Sequence, residues 1–245
     1  MDNENLIKFN NWKRIMLKLS GEVLIGKQGY GIDPEKVSTI ALDISNVHKQ
    51  NKQICIVVGG GNIFRGVSGA SEGIDRVTAD GMGMLATVIN ALALQNAIEK
   101  IKIPTRVLSA IPMQTICEPF IKRRALRHLQ KGRIIILAAG TGNPYFSTDT
   151  AATLRAAEMN CDAIFKGTSV DGVYDSDPKK NTSSKKYAFI NYSKVLSDNL
   201  KVMDSSAISL ARDNNIPMVV FSILKENSFR NAVEANGEFT VISED

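Results

Sequence analysis

Two lysines stand where apolar strands give out. Lys18 interrupts the run Ile15-Met16-Leu17, and Lys166 follows Ile164-Phe165. Lysine is seldom fully buried without a partner, so each is either a side chain that snorkels out of a strand end or a cation placed for use. Each also has a glycine and a hydroxyl close by, Ser20 and Gly21 in one case and Gly167 and Thr168 in the other. Snorkelling does not require such neighbours. Two such cations can bracket a phosphoryl group in flight. That chemistry asks for positioning and charge neutralisation more than for covalent catalysis, so two lysines plus Mg²⁺ suffice.

Glycine-bearing loops repeat at four strand ends: Lys18-Leu19-Ser20-Gly21, Gly59-Gly60-Gly61-Asn62, Gly140-Thr141-Gly142-Asn143 and Lys166-Gly167-Thr168. In open parallel sheets the ligand crevice lies beyond the carboxyl ends of the strands, and glycine lets backbone N–H groups approach phosphate oxygens. Carboxylates supply the other half of the chemistry. Asp149 starts a helix after the Gly140 loop, Asp171 and Asp177 flank a polar loop, and Asp204 precedes another helix. Asp149 and Asp204 read either as helix caps or dipole partners or as groups that orient a lysine or hold magnesium. Arg65 is a phosphate fork or an ordinary surface arginine. Asp80, in a segment rich in glycine and methionine, is a sugar-hydroxyl acceptor or a solvated acid.

Two familiar signatures fail. Gly21 to Lys27 spells the start of a P-loop, but Gln28 stands where the motif needs Ser or Thr, and Glu22-Val23-Leu24-Ile25 makes a poor N–H cradle. The dinucleotide fingerprint is lost because Phe64 takes the last glycine position after Gly59.

The elements that must position these groups follow from periodicity. Arg14–Ser20, Gln53–Val58, Thr105–Ala110, Arg133–Ala138, Ala163–Lys166 and Pro217–Ser222 read as buried strands. Pro34–Gln50, Asp75–Lys100, Pro119–Gln130, Thr148–Asn160 and Ser205–Asn214 read as helices, the first with Asp33 as cap and Pro34 in its first turn. Strands alternating with helices predict a mostly parallel sheet covered on both faces. Gly237–Ser243 reads as an antiparallel edge, and Val170–Lys186 as a polar binding loop or lid.

With 245 residues, 44% hydrophobic, the chain can bury a substantial core. One domain over 1–245 is expected, with 1–11 as a flexible tail. No apolar run reaches the roughly 20 residues of a membrane span, and the N-terminus lacks a secretory core, so a cytoplasmic protein without a membrane partner is expected. Cys55, Cys117 and Cys161 read as packing residues, and two histidines without paired cysteines give no dedicated metal site. The net charge is +5, and its one dense cluster, Lys122, Arg123, Arg124 and Arg127, falls in one helix. It reads as a solvated helix face, and no nucleic-acid partner is expected.

Six segments carry a resemblance: KLSGE at 18–22, GGGNIFRG at 59–66, AD-x-MGMLAT at 79–87, GTGNPYFSTDTAA at 140–152, VDGVYDSDP at 170–178 and KVMD at 201–204. In this order and spacing they resemble the bacterial UMP kinases of the amino acid kinase family, over roughly residues 12 to 243. The resemblance implies a three-layer α/β/α sandwich of the carbamate kinase-like type, a homohexamer, and transfer of phosphate from ATP, with Mg²⁺, to UMP. It implies ATP contacts at Lys18, Leu19, Ser20, Gly21, Gly61, Arg65, Thr168, Tyr174 and Asp177. It implies UMP contacts at Gly60, Asp80 (on the ribose), Thr141, Gly142, Asn143, Pro144, Tyr145, Phe146, Ser147 and Thr148. Lys18 and Lys166 would stabilise the transferred group, supported by Asp149 and Asp204. The family is typically activated by GTP, linked to Gly26, Lys27, Gln28, Gly29, Tyr30 and Gly31, and inhibited by UTP; Gln95 and Asn96 replace a charged pair seen in some members. The same fold serves kinases of carbamate, glutamate or aspartate, against which the GTGNPYFSTD segment stands. A nucleotide-sensing regulator without turnover is the non-enzymatic alternative.

Overall fold

The computed structural model describes residues 9, 11–26, 29–65, 73–176, 178, 180–181 and 183–244. The main strands are β1 (Arg14–Leu19), β2 (Gln53–Val58), β3 (Thr105–Ser109), β5 (Ile134–Ala138), β6 (Ala163–Thr168), β10 (Met218–Ser222) and β11 (Phe239–Ile242). Short pieces complete the set: β4 (Glu118–Pro119), β7 (Val173–Tyr174), β8 (Lys186–Tyr187) and β9 (Phe189–Ile190). The helices are α1 (Pro34–His48), α2 (Arg76–Lys100), α3 (Lys122–Gln130), α4 (Thr148–Glu158), α5 (Tyr192–Ser197), α6 (Ser205–Asp213) and α7 (Ser228–Val233). One nine-stranded sheet runs β4-β3-β5-β2-β1-β6-β10-β11-β9. Every pairing in it is parallel except β10 with β11.

Strand alternation divides the core into two layers of helix. Ile15, Leu17 and Leu19 of β1 pack with Ile40 and Ile44 of α1, Leu94 of α2 and Phe229 of α7. Met16 points the other way, among Ala125 of α3, Ala152 of α4, Tyr192 of α5 and Ala207 of α6. This is the expected α/β/α sandwich.

Several local expectations change. β11 does pair antiparallel with β10, but it is not the edge, because β9 adds parallel to its far side. The polar stretch 170–186 is not all loop: β7 and β8 form a two-stranded antiparallel ribbon at its ends. Phe9, expected in a flexible tail, is 3% exposed and packs within 5.6 Å of the Phe239 ring and 6.5 Å of Phe165, centroid to centroid. So short a segment, with Phe9 and Trp12 set among Asn and Lys, shows no sustained periodicity, and the packing appears only in the tertiary contact. The basic cluster on α3 is solvent-facing, as expected, and the three cysteines are free and buried.

Against the sequence expectation, α2 is long and apolar enough, by length and composition, to cross a bilayer. Its uncharged stretch after Asp80 instead supplies core: Ala86, Val88, Ala91, Leu94 and Ile98 are buried. Its glycines and alanines let the helix lie close to the loops after β2 and β5.

Candidate active site

Strand order places the site. β2 to β5 all lie on one side of β1 and β6, β10, β11 and β9 on the other, so the chain's winding direction reverses between β1 and its neighbour β6. Crevices beyond the carboxyl ends of strands form at such reversals. In the parallel β1–β6 pairing Lys18 stands opposite Lys166. Lys18 has the parity of Met16, and Lys166 that of Ile164, so both side chains leave the sheet on the face covered by α4 and α6. They are 6% and 9% exposed. Snorkelling lysines would reach water, and these do not.

Their partner is Asp149, in the first turn of α4. Its Oδ1 lies 2.5 Å from Lys18 Nζ and its Oδ2 accepts a hydrogen bond from Lys166 Nζ at 2.9 Å. Burial alone would raise the Asp149 pKa, but the two ammonium groups outweigh it and the net shift is downward. Lys166 moves down as well: burial and the neighbouring Lys18 charge outweigh the attraction of Asp149. One carboxylate thus holds two buried cations, and Asp204 adds a further attraction on Lys166. Lys166 Nζ also donates to the Val202 carbonyl.

The start of α4 is locked by a second carboxylate. Ser147 is its N-cap, with Oγ accepting from Asp149 N at 3.0 Å and Thr150 N at 3.4 Å. The same hydroxyl donates to Asp204 Oδ2, which also accepts from Thr150 Oγ1 at 3.4 Å. Asp204 sits at the N-cap position of α6 yet makes no cap bond to that helix. Its carboxylate is used across the gap, on α4. Neither aspartate is therefore a simple cap of its own helix.

Two cavities flank this centre. One, of about 490 Å³, is lined by Lys18, Ser20, Gly21, Gly60, Gly61, Arg65, Asp80, Asn143 and Phe146–Thr148, together with Glu22, Met84 and Thr87. The other, of about 510 Å³, is lined by Lys166, Thr168, Tyr174 and Val202, with Ser176 and Pro178 at its rim. Both volumes suit nucleotide-sized ligands. Each cavity holds one of the two lysines, so the cations mark where the cavities come together.

Residues implied for both ligands line the first cavity. Ser20, Gly21, Gly61 and Arg65, implied for the nucleoside triphosphate, share a cavity with Gly60, Asp80 and Asn143 from the acceptor set. A triphosphate seated over Thr168 and Tyr174 would have to extend its tail into the first cavity to meet them. Leu19 is fully buried, so only its backbone is offered. Arg65 is held in an ion pair by Glu22. Asp80 accepts from Arg76 Nε and from the backbone N–H of Tyr145, both at 2.8 Å. It therefore anchors the 140–148 loop, and Thr141 steadies the same loop by accepting from Asn143 N at 3.1 Å. Gly142, Pro144 and Tyr145 belong to this loop beside the cavity, with Gly142 and Tyr145 at positive φ. Asp177 lies outside the described residues, as do Lys27 and Gln28. Gly26, Gly29, Tyr30 and Gly31 form an exposed or half-exposed turn beside the first cavity.

The loop after β2 is shaped by its glycine. A Cβ on Gly60 would lie 2.8 Å from the Gly83 carbonyl and 2.8 Å from Ala86 Cβ, so only glycine lets this loop rest on α2. Sequence reasoning missed the polar residues that steady this loop and the loop after β5. Thr87 Oγ1 accepts from Ala139 N at 2.8 Å, and Asn62 and Asn90 pair in the interior. A polar residue inside the apolar run of α2 was the one signal for Asn90. Val202, which offers only a carbonyl, had none.

The model of the amino acid kinase family matches residues 13–222, and the chain belongs to that family. Within it, the chain is 59% identical over 230 residues to a uridylate kinase of Erythrobacter litoralis, spanning 94% of this chain and 97% of that one. Among solved structures, it resembles UMP kinase from Ureaplasma parvum with TM-score 0.91 and 40% identity, covering 96% of this chain and 100% of the other. UMP kinase from Bacillus anthracis matches with TM-score 0.92 and 40% identity, over 96% and 97%.

Proposed function

We propose that this chain transfers the terminal phosphoryl group of ATP to the α-phosphate of UMP, giving UDP and ADP. The observation that carries the reading is the in-register pair Lys18 and Lys166, sharing Asp149 where two nucleotide-sized cavities meet. The named relatives, uridylate and UMP kinases along nearly their whole length, select UMP over carbamate, glutamate or aspartate as acceptor. In this reading ATP occupies the cavity with Thr168 and Tyr174, its phosphates reach Lys18–Gly21, Gly61 and Arg65, and Asp177 is a further proposed contact. UMP occupies the cavity with Gly60, Asp80 and Thr141–Thr148.

A phosphate oxygen of UMP attacks the terminal phosphorus in line, and the bond to the bridging oxygen breaks with its electrons leaving on ADP. Lys18 and Lys166 neutralise charge on the equatorial and leaving oxygens as it develops. Asp149 positions both ammonium groups, and Asp204 holds the helix end that carries Asp149. Among the described residues no group of three or more His, Cys, Asp or Glu forms a metal cage. That donor set fits Mg²⁺ carried on the phosphates of ATP, with at most one or two protein carboxylates; when bound it would add charge neutralisation.

We extend the reading to a single-domain, cytoplasmic enzyme that forms a homohexamer and serves pyrimidine nucleotide synthesis toward CTP. Support for self-association is an apolar stripe on α2, where Met82, Leu85 and Ile89 are 40%, 51% and 50% exposed. GTP activation through the 26–31 turn and UTP inhibition belong to the same reading. ADP release measured with UMP, CMP, carbamate, glutamate and aspartate as acceptors tests it. Activity with UMP is expected, and turnover only with an amino acid or carbamate would overturn the acceptor. Nucleotide binding without ADP release would favour a sensor.

A further inference from the structure

Asn62 and Asn90 form a closed carboxamide pair that the phosphoryl-transfer chemistry does not use directly. Asn90, on α2, is 0% exposed and Asn62, at the end of the glycine loop, is 5% exposed. Asn90 Nδ2 donates to Asn62 Oδ1 at 2.6 Å, and Asn62 Nδ2 donates to Asn90 Oδ1 at 3.0 Å. The second hydrogen of each amide leaves the pair. From Asn90 it goes to the Gly59 carbonyl at 2.7 Å, and from Asn62 to the Gly31 carbonyl at 2.8 Å. Gly31 N in turn donates to the Asn62 carbonyl at 2.9 Å. Flipping either amide would set carbonyl against carbonyl, so the network itself fixes both orientations.

Both amide nitrogens thus use both hydrogens, and both amide oxygens accept. Buried polar pairs rigidify their surroundings only when satisfied in this way. Two backbone segments end on the pair. One is the Gly59–Gly61 loop that lines the first cavity. The other is the Gly29–Gly31 turn, where Gly31 has φ +76 and open space on the side a Cβ would occupy. Gly31 is not among the residues that line the cavity. Its route to the phosphate loop, among the described contacts, runs through Asn62.

We infer that Asn62 and Asn90 are positioning residues that set the shape of the Gly59–Gly61 loop and fasten the Gly29–Gly31 turn to it, so that the turn's conformation is transmitted to the site where phosphate is bound. This rests on the phosphoryl-transfer reading above. Asn90 sets the loop from the helix side. Asn62 is the clasp between loop and turn.

Three variants test it: Asn62→Asp, which keeps the acceptor for Asn90 but sets a carboxylate against the Gly31 carbonyl; Asn90→Leu, which removes the pair; and Gly31→Val. The last changes only a half-exposed turn, where a side chain strains a left-handed backbone, and it keeps the test alive if the buried variants do not fold. ADP release with ATP and UMP is measured beside hydrogen exchange at the amides of 29–33 and 59–64, with and without ATP·Mg²⁺. Wild-type turnover of UMP checks the underlying reading separately. In the wild type, nucleotide is expected to slow exchange in both segments together. In Asn62→Asp and Gly31→Val it should slow only 59–64, with kcat lower by about tenfold to a hundredfold through misplacement of the loop. Joint protection of both segments in Gly31→Val and Asn62→Asp, or wild-type kcat in all folded variants, would overturn the inference.

Discussion

Replacing Asp149 by asparagine keeps the shape of the side chain and removes the single negative charge that Lys18 and Lys166 share at 2.5 and 2.9 Å. A unit pair about 4 Å apart is worth about 4 kcal/mol at an effective dielectric of about 20, and here two attractions vanish while two buried cations are left facing each other. The protein limits the loss by letting one lysine go neutral. Lys166 is the group that yields, because burial and the Lys18 charge already pull its pKa down. The net cost is therefore that of breaking a buried ion pair, about 3–5 kcal/mol. At about 2–4 °C per kcal/mol for a chain of this size, Tm falls by roughly 6–20 °C. A polyanion bound at the two lysines restores the missing charge, so the rise in Tm on adding ATP·Mg²⁺ is larger in Asp149→Asn than in the wild type. Thermal unfolding with and without nucleotide reads both quantities. A Tm within about 2 °C of wild type, or a nucleotide-induced rise no larger than the wild type's, would mean that Asp149 is not holding two charged lysines together.

Lys166→Ala removes one stabilising cation and is expected to cut kcat by about 10²–10³-fold with an unchanged circular dichroism spectrum; near-normal turnover would refute its role. The lowered pKa of Lys166 also sets the alkaline limb of kcat/KM below the 10.5 of an ordinary lysine. The cost of burying its charge is fully present below its folded pKa and is relieved as pH rises between that value and 10.5, so stability and activity move in opposite directions there. In Lys166→Arg the limb disappears, because guanidinium does not titrate. Gly60→Ala drives a Cβ to 2.8 Å from Gly83 O and is expected to cost about 1–3 kcal/mol and to lift the loop from α2, read as a rise in KM for UMP. Asp43→Ala strips the carboxylate that accepts from Phe229 N at 2.8 Å and Arg230 N at 3.1 Å. Orphaning those donors at the start of α7 costs about 1–3 kcal/mol in denaturant unfolding, with kcat untouched.

The sandwich and the residues with charge to offer were legible in the amino-acid order. Short continuous apolar runs and longer amphipathic stretches mark the long strands and helices, because a strand covered on both faces needs an apolar residue at nearly every position and a helix on one stripe only. Lys18 and Lys166 stood out because charge at the end of an apolar run requires a reason, and Asp149 because it starts a helix directly after a glycine-bearing loop. Elements of two residues, such as β7 and β9, carry too few positions for any period and were invisible, as was the packing of Phe9. The register that sets Lys18 against Lys166 came only with the folded sheet, since strand order brings together residues 148 positions apart on grounds of sheet-wide packing. The folded chain alone revealed that Asp204 caps the site rather than its own helix, that Val202 offers a carbonyl to Lys166, and that Asn62 and Asn90 close on each other. Those roles belong to backbone groups and amides whose chemistry is generic, and a generic donor acquires a purpose only from what the fold places opposite it.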